Sequence, residues 1–114
     1  MKISEVAKLM NARIVCGEHR LEEEIKHGFG SDLMSDVLRT EAEQLILITG
    51  LANLQTIRTA EMADIEFILF VRDKKATDEM VELAKENNLV VLETSNSMFK
   101  ASGILFQAGL TPVF

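Results

Sequence analysis

Leu45-Ile46-Leu47-Ile48-Thr49-Gly50 is an uninterrupted apolar run closed by a small polar residue and a glycine. A strand covered on one face alternates apolar with polar residues, whereas a run this continuous belongs to a strand covered on both. The same signature returns at Phe67-Ile68-Leu69-Phe70-Val71, closed by Arg72-Asp73, and again from Leu89 to Leu92. Between the first two runs, Asn53 is placed to cap a helix whose Leu54, Ile57, Ala60 and Ala63 form a narrow apolar stripe. Between the next two, Thr77 is placed to cap a helix with Asp78 and Glu79 in its first turn, where they suit the dipole. Met80, Leu83 and Ala84 point inward, and Asn87-Asn88 ends it. Strand and helix thus alternate from Leu45 onward, which requires right-handed crossovers and a parallel sheet.

Outward from this block the elements are shorter and less regular. Ser4 reads as the cap of a first helix carrying Val6, Leu9 and Met10, with Asn11 as its stop, and Ile14 to Cys16 reads as a short strand ending at Gly17. A second short strand is expected around Ile25 to Phe29. Gly30-Ser31-Asp32 then turns into a helix through Leu33, Met34, Val37 and Leu38, with Asp32 as its cap. Ser97 opens a final helix with Met98, Ala101, Leu105 and Ala108 on one stripe and Phe99, Ile104 and Phe106 around the rest of its circumference. The expected fold is α/β, one domain over residues 1–114, with a small, mostly parallel sheet of four to five strands flanked by helices.

The 114 residues carry 12 Lys and Arg against 18 Asp and Glu, a formal charge of −6, and 47% of them are apolar. That apolar share supports a core and argues against disorder. With a pI near 4.9 and no basic cluster, phosphate backbones and anionic lipid find no electrostatic footing. Cys16 has no partner for an internal disulfide, and the first residues show no signal-peptide pattern, so a cytoplasmic location is expected. Met98 to Phe114 contains a single charge, Lys100, but is short of a bilayer span and is interrupted by Gly103, Gly109 and Pro112. It reads as a buried or interface element.

In open parallel sheets, ligands gather outside the carboxyl ends of the strands. The residues at those ends are Ser31 and Asp32, Thr49 and Gly50 with Asn53 close behind, Arg72 and Asp73, and Glu93, Thr94 and Ser95, and the candidate ligand residues among them are Ser31, Asp32, Thr49, Gly50, Asn53, Arg72, Thr94 and Ser95. Together they form the candidate small-molecule site, with Arg72 supplying charge for an anion. The competing reading is that the same residue types serve only as caps and turns. Other chemistry finds less. Cys16, His19 and His27 offer neither a nucleophile beside a base at a recognisable spacing nor a fourth ligand for zinc. No lysine follows Gly50 as a phosphate-binding loop of the Walker type requires. The reading therefore calls for no cofactor, no metal and no catalytic residue. Phe99, Ile104, Phe106 and Leu110 are the candidate surface for self-association, because a chain of this size has little core in which to bury a helix on every side.

Three segments carry a family likeness: Ser31-Asp32-Leu33-Met34-Ser35-Asp36-Val37-Leu38, then Leu47-Ile48-Thr49-Gly50 with the helix Gln55 to Glu61, and Met98-Phe99-Lys100-Ala101-Ser102-Gly103-Ile104-Leu105. From about Ile3 to Leu110 the chain resembles a stand-alone DRTGG-domain protein, a family similar to the N-terminal domain of HPr kinase/phosphorylase. Related segments accompany phosphate acetyltransferases and pyrophosphatases that carry CBS domains. The resemblance implies an accessory or regulatory α/β module with a tendency to pair with itself, beside an active domain and not itself the catalytic one. Where the name-giving motif has Gly-Asp-Arg-Thr-Gly-Gly, this chain has Gly50-Leu51-Ala52-Asn53-Leu54-Gln55, so only the glycine carries over.

The functional expectation is a non-catalytic regulatory or ligand-sensing homodimer that acts through a partner protein and takes a nucleotide or phosphorylated metabolite, with no nucleic acid or membrane as partner. The alternative is a purely structural dimerisation domain with no ligand.

Overall fold

The computed structural model describes all 114 residues, with, besides one 3-10 turn at Glu18–Arg20, six strands and five α-helices. In chain order these are α1 (Ile3–Met10), β1 (Arg13–Cys16), β2 (His27–Gly30), α2 (Met34–Leu38), β3 (Leu45–Thr49), α3 (Leu54–Met62), β4 (Phe67–Phe70), α4 (Asp78–Glu86), β5 (Val90–Glu93), α5 (Met98–Gln107) and β6 (Thr111–Pro112). The strands form one sheet in the order β1-β5-β4-β3-β2-β6. All neighbours are parallel except β1, which runs antiparallel to β5 at one edge. The sheet therefore holds one strand more than the largest count expected. The extra strand, β6, is two residues long and includes Pro112, too short to show a period and typical of an edge.

Strand alternation divides the core into two layers. Ile46, Ile48, Phe67, Leu69, Val90 and Leu92 face α1 and α5, while Leu45, Leu47, Ile68, Phe70 and Val91 face α2, α3 and α4. Both faces of β3, β4 and β5 are thus covered, which is why these strands read as unbroken apolar runs. Cys16 leaves β1 through Gly17, whose φ of +90° places it in the left-handed region. A side chain there would lie 2.8 Å from Val90 Cα, so the position takes glycine for closeness as well as for conformation. Beyond it, Arg20 is only 8% exposed. Its guanidinium forks onto Glu23, donates to Glu66 and to the Asn88 carbonyl, and lies 5.1 Å from the centre of the Phe67 ring.

Three local expectations differ from the structure. Helix α1 is capped at Lys2, not Ser4: the Lys2 amide donates to Glu5, and the Ser4 amide is drawn off to the Leu21 carbonyl. The strand expected from Ile25 begins at His27, since Ile25 is a core residue just before the ladder. Helix α2 has Leu33 at its cap position with no side-chain cap, because Asp32 is engaged elsewhere. Asn53, Thr77 and Ser97 each accept an amide hydrogen bond at the start of α3, α4 and α5. No helix is long and apolar enough to cross a membrane.

Candidate functional site

The ends of β2, β3, β4 and β5 come together at one edge of the sheet. Thr49 closes β3 with its side chain buried, and its hydroxyl donates to Asp32 Oδ1 at 2.8 Å. The same carboxylate oxygen accepts the Gly50 amide at 2.7 Å, and Thr49 Oγ1 accepts the Leu51 amide at 3.1 Å. One carboxylate after β2 thereby fixes the backbone where β3 turns outward. Asn53 Oδ1 accepts both the amide (2.9 Å) and the hydroxyl (3.1 Å) of Thr56, so its side chain is committed to the start of α3.

Arg72 and Asp73 follow β4 with φ of +60° and +59°. Two successive left-handed residues other than glycine carry a cost of about 1–2 kcal/mol each. Their amides are held by the Asn96 carbonyl (2.8 Å) and the Thr94 carbonyl (3.0 Å), which keeps the turn in place. The turn lays the Arg72 guanidinium on Gly50: a Cβ at position 50 would stand 3.0 Å from Nε and 3.1 Å from Nη2. This guanidinium has no carboxylate and no hydrogen-bond acceptor of its own. Gly50 thus leaves room for a cation beside the Asp32–Thr49 junction.

Of the eight candidate ligand residues, the fold brings Asp32, Thr49, Gly50 and Arg72 into one cluster. Asn53 lies at its margin as a helix cap. Ser31 Oγ accepts the Leu33 amide, Thr94 is buried with its hydroxyl donating to the Met10 carbonyl at 2.8 Å, and Ser95 is exposed between the two residues whose carbonyls hold the Arg72–Asp73 turn. Thr94 therefore works inside the fold, tying the end of β5 to α1. Cys16 is buried, donates to the Leu89 carbonyl, and has its thiol pushed up by burial. His19 pairs with Asn88 and His27 with Thr111. No group of three or more His, Cys, Asp or Glu side chains is arranged to hold a metal.

The structure also shows two features outside the candidate set. Glu93 is 3% exposed, its Oε2 accepts the Ala76 amide at 2.7 Å, and its Oε1 has no hydrogen bond, with Arg13 Nη1 3.8 Å away. In sequence it looks like the polar end of a strand, and only the covering loop makes it buried. The second feature is an open apolar cleft of about 360 Å³ between α5 and the β2–β6 edge. Its lining includes Gly28, Gly30, Ile48, Leu105 and Leu110, and Phe99 and Phe106 stand over it. Of the four residues expected at a self-association surface, Phe99 is 90% and Phe106 67% exposed. Ile104 is half-buried against the α1-side core, and Leu110 is 5% exposed because it closes the gap left by Gly28. The last helix is apolar on two sides because one of them is core.

A three-layer α/β domain with a polar cluster at its strand ends is a class shared by many unrelated proteins. The family model of the DRTGG domain matches residues 5–108, and the chain belongs to that family. Among solved structures, it is similar to the crystal structure of the CBS and DRTGG domains of the regulatory region of Clostridium perfringens pyrophosphatase, complexed with the activator diadenosine tetraphosphate. The TM-score is 0.75 at 18% identity, over 98% of this chain and 48% of that one, so the likeness is one of fold and spans about half the length of that solved regulatory region. No curated protein matches the chain.

Proposed function

We propose that this chain is a regulatory, ligand-sensing module with no chemistry of its own, which takes a nucleotide or phosphorylated metabolite at the strand ends, pairs with itself and acts through a partner protein in the cytoplasm. The observation that carries the reading is the unpaired Arg72 guanidinium over Gly50. A guanidinium is the side chain suited to a phosphate oxygen pair. It stands where the family motif has its glycine, and it supplies a charge that Ala52, at the motif's arginine position, does not. The family membership and the fold shared with an enzyme's regulatory region support the same reading. So does the use of Asp32 and Thr49 as a fixed joint, since a binding surface on a rigid junction loses little entropy when it is filled.

Thermal unfolding against a panel of nucleotides, phosphorylated metabolites and acyl phosphates tests it. A ligand at 100 times its dissociation constant stabilises the native state by about 2.7 kcal/mol. The expected result is a rise in melting temperature that Arg72→Ala abolishes; silence across the panel sinks the sensing function. A second reading, a dimerisation domain without a ligand, draws on one observation: two large phenylalanines stand in solvent on a single helix.

A further inference from the structure

The outer side of α5 has a pattern that core packing does not explain. Phe99 and Phe106 are separated by seven residues, two helical turns and about 10.5 Å along the axis. Near their midpoint stands Gly103, where an added Cβ would meet nothing within 4 Å. The groove beside them is floored by two further glycines on one face of β2. A side chain at Gly28 would strike Leu110 at 2.9 Å, and one at Gly30 would touch Ser102 and Met98. The surface thus holds two large projections and a glycine-lined recess side by side. A contact between two identical copies across a two-fold axis requires both halves of the fit on one patch.

Charge selects the occupant. Each copy carries a net −6, yet none of the 18 carboxylates falls between Met98 and Phe114, and Lys100 is the segment's single charge. Two copies repel one another through most of their surface and least through this one. An oppositely charged partner would find nothing here to attract it.

We infer that a second copy of this chain covers the cleft, its α5 lying antiparallel to the first with Gly103 at the two-fold axis, so that Phe99 of each copy meets Phe106 of the other above the Gly28–Gly30 floor. This rests on the reading that the chain pairs with itself, and it replaces Ile104 and Leu110 with Gly103 as the residue that decides the contact. A glycine at the crossing lets the helices approach closely. Exposed by 90% and 67%, the Phe99 and Phe106 side chains of two copies supply roughly 500–800 Å² of buried surface, and the helix flanks must add the rest of the roughly 1,200–2,000 Å² that a stable interface buries.

Sedimentation velocity of the full chain, without ligand, tests it, with circular dichroism to report folding. The wild type is expected to sediment as a dimer, and Gly103→Glu as a folded monomer, since the added side chain has free space within one copy and none between two. Under mild oxidation Gly103→Cys should cross-link to itself, while Met62→Cys, also exposed but on the opposite layer, should not. A wild-type monomer at the highest concentration reached, a dimer that survives Gly103→Glu, or equal cross-linking at both cysteines overturns the proposal. A dimer that survives Gly103→Glu overturns this interface alone, a wild-type monomer overturns self-pairing with it, and a dimer deaf to every ligand overturns sensing alone.

Discussion

At the scale of single residues, Asp32 and Gly50 separate structure from recognition. Asp32→Ala removes the acceptor of two hydrogen bonds and leaves the buried Thr49 hydroxyl without its partner. The expected loss is about 1–3 kcal/mol, read as a lower urea midpoint with an unchanged slope. Asp32→Asn retains an acceptor oxygen and should recover part of it. Gly50→Ala behaves differently. The backbone there is not left-handed, and the atoms a methyl group would meet belong to the flexible Arg72 side chain, so little stability is lost while the guanidinium is pushed aside. Ligand-induced stabilisation should fall as it does in Arg72→Ala, and an undiminished shift would separate Arg72 from binding. The Asp32 bond spans 17 residues of chain, and local pattern offers only the capping role that Asp commonly plays. For that reason its true partner was not legible in the sequence, although its place at a strand end was.

At the scale of elements, the three central strands were legible because burial on both faces leaves a continuous apolar run, and helices α3, α4 and α5 because each opens on a residue that caps it. Asn53→Ala should cost about 1 kcal/mol through the loss of that cap. Strand β6 was hidden by its length, and the burial of Glu93 by its dependence on a loop 17 residues earlier. Glu93→Gln removes a buried charge whose second oxygen has no hydrogen bond, so chemical denaturation should show stability held or raised; Arg13→Ala, which takes away the nearest counter-charge, should lower it. The turn after β1 responds to acid. The hydrogen bonds from Arg20 hold the Glu23 carboxyl below the ordinary carboxylate range. A depressed pKa contributes stability that is fully present above the unfolded value and is lost as pH falls through the folded one. Between neutral pH and the ordinary carboxylate range the wild type should therefore keep its advantage over Glu23→Gln, and below that range the two midpoints should converge.

At the scale of the whole molecule, the sheet carries two surfaces of different character. The strand ends hold a cation on a fixed polar joint, and the outer face of α5 offers an uncharged, glycine-lined recess. They meet at β2 and β3, where Gly30 and Ile48 line the recess one residue before Ser31 and Thr49 begin the polar edge. If occupancy at Arg72 is passed to the paired state, ligand should change the dimer dissociation constant, and by linkage dimerisation should change ligand affinity by the same factor. Titration calorimetry on the wild type and on Gly103→Glu compares the two affinities directly; equal values would show that the surfaces work independently.

The layer formed by α2, α3 and α4 is assembled from neighbours in the chain, each helix lying between the two strands it joins. The opposite layer is closed by α1 and α5, whose residues lie some ninety positions apart, and by bonds such as Thr94 to Met10 and Thr111 to Lys26. Ile46 and Ile48 of β3, on which α5 packs, are therefore fully covered on that side only once residues 98–107 have been made. The helix that closes this side of the core is the one that carries Phe99 and Phe106, so its exposed aromatic face is set in place by the same packing that buries Ala101 and Leu105.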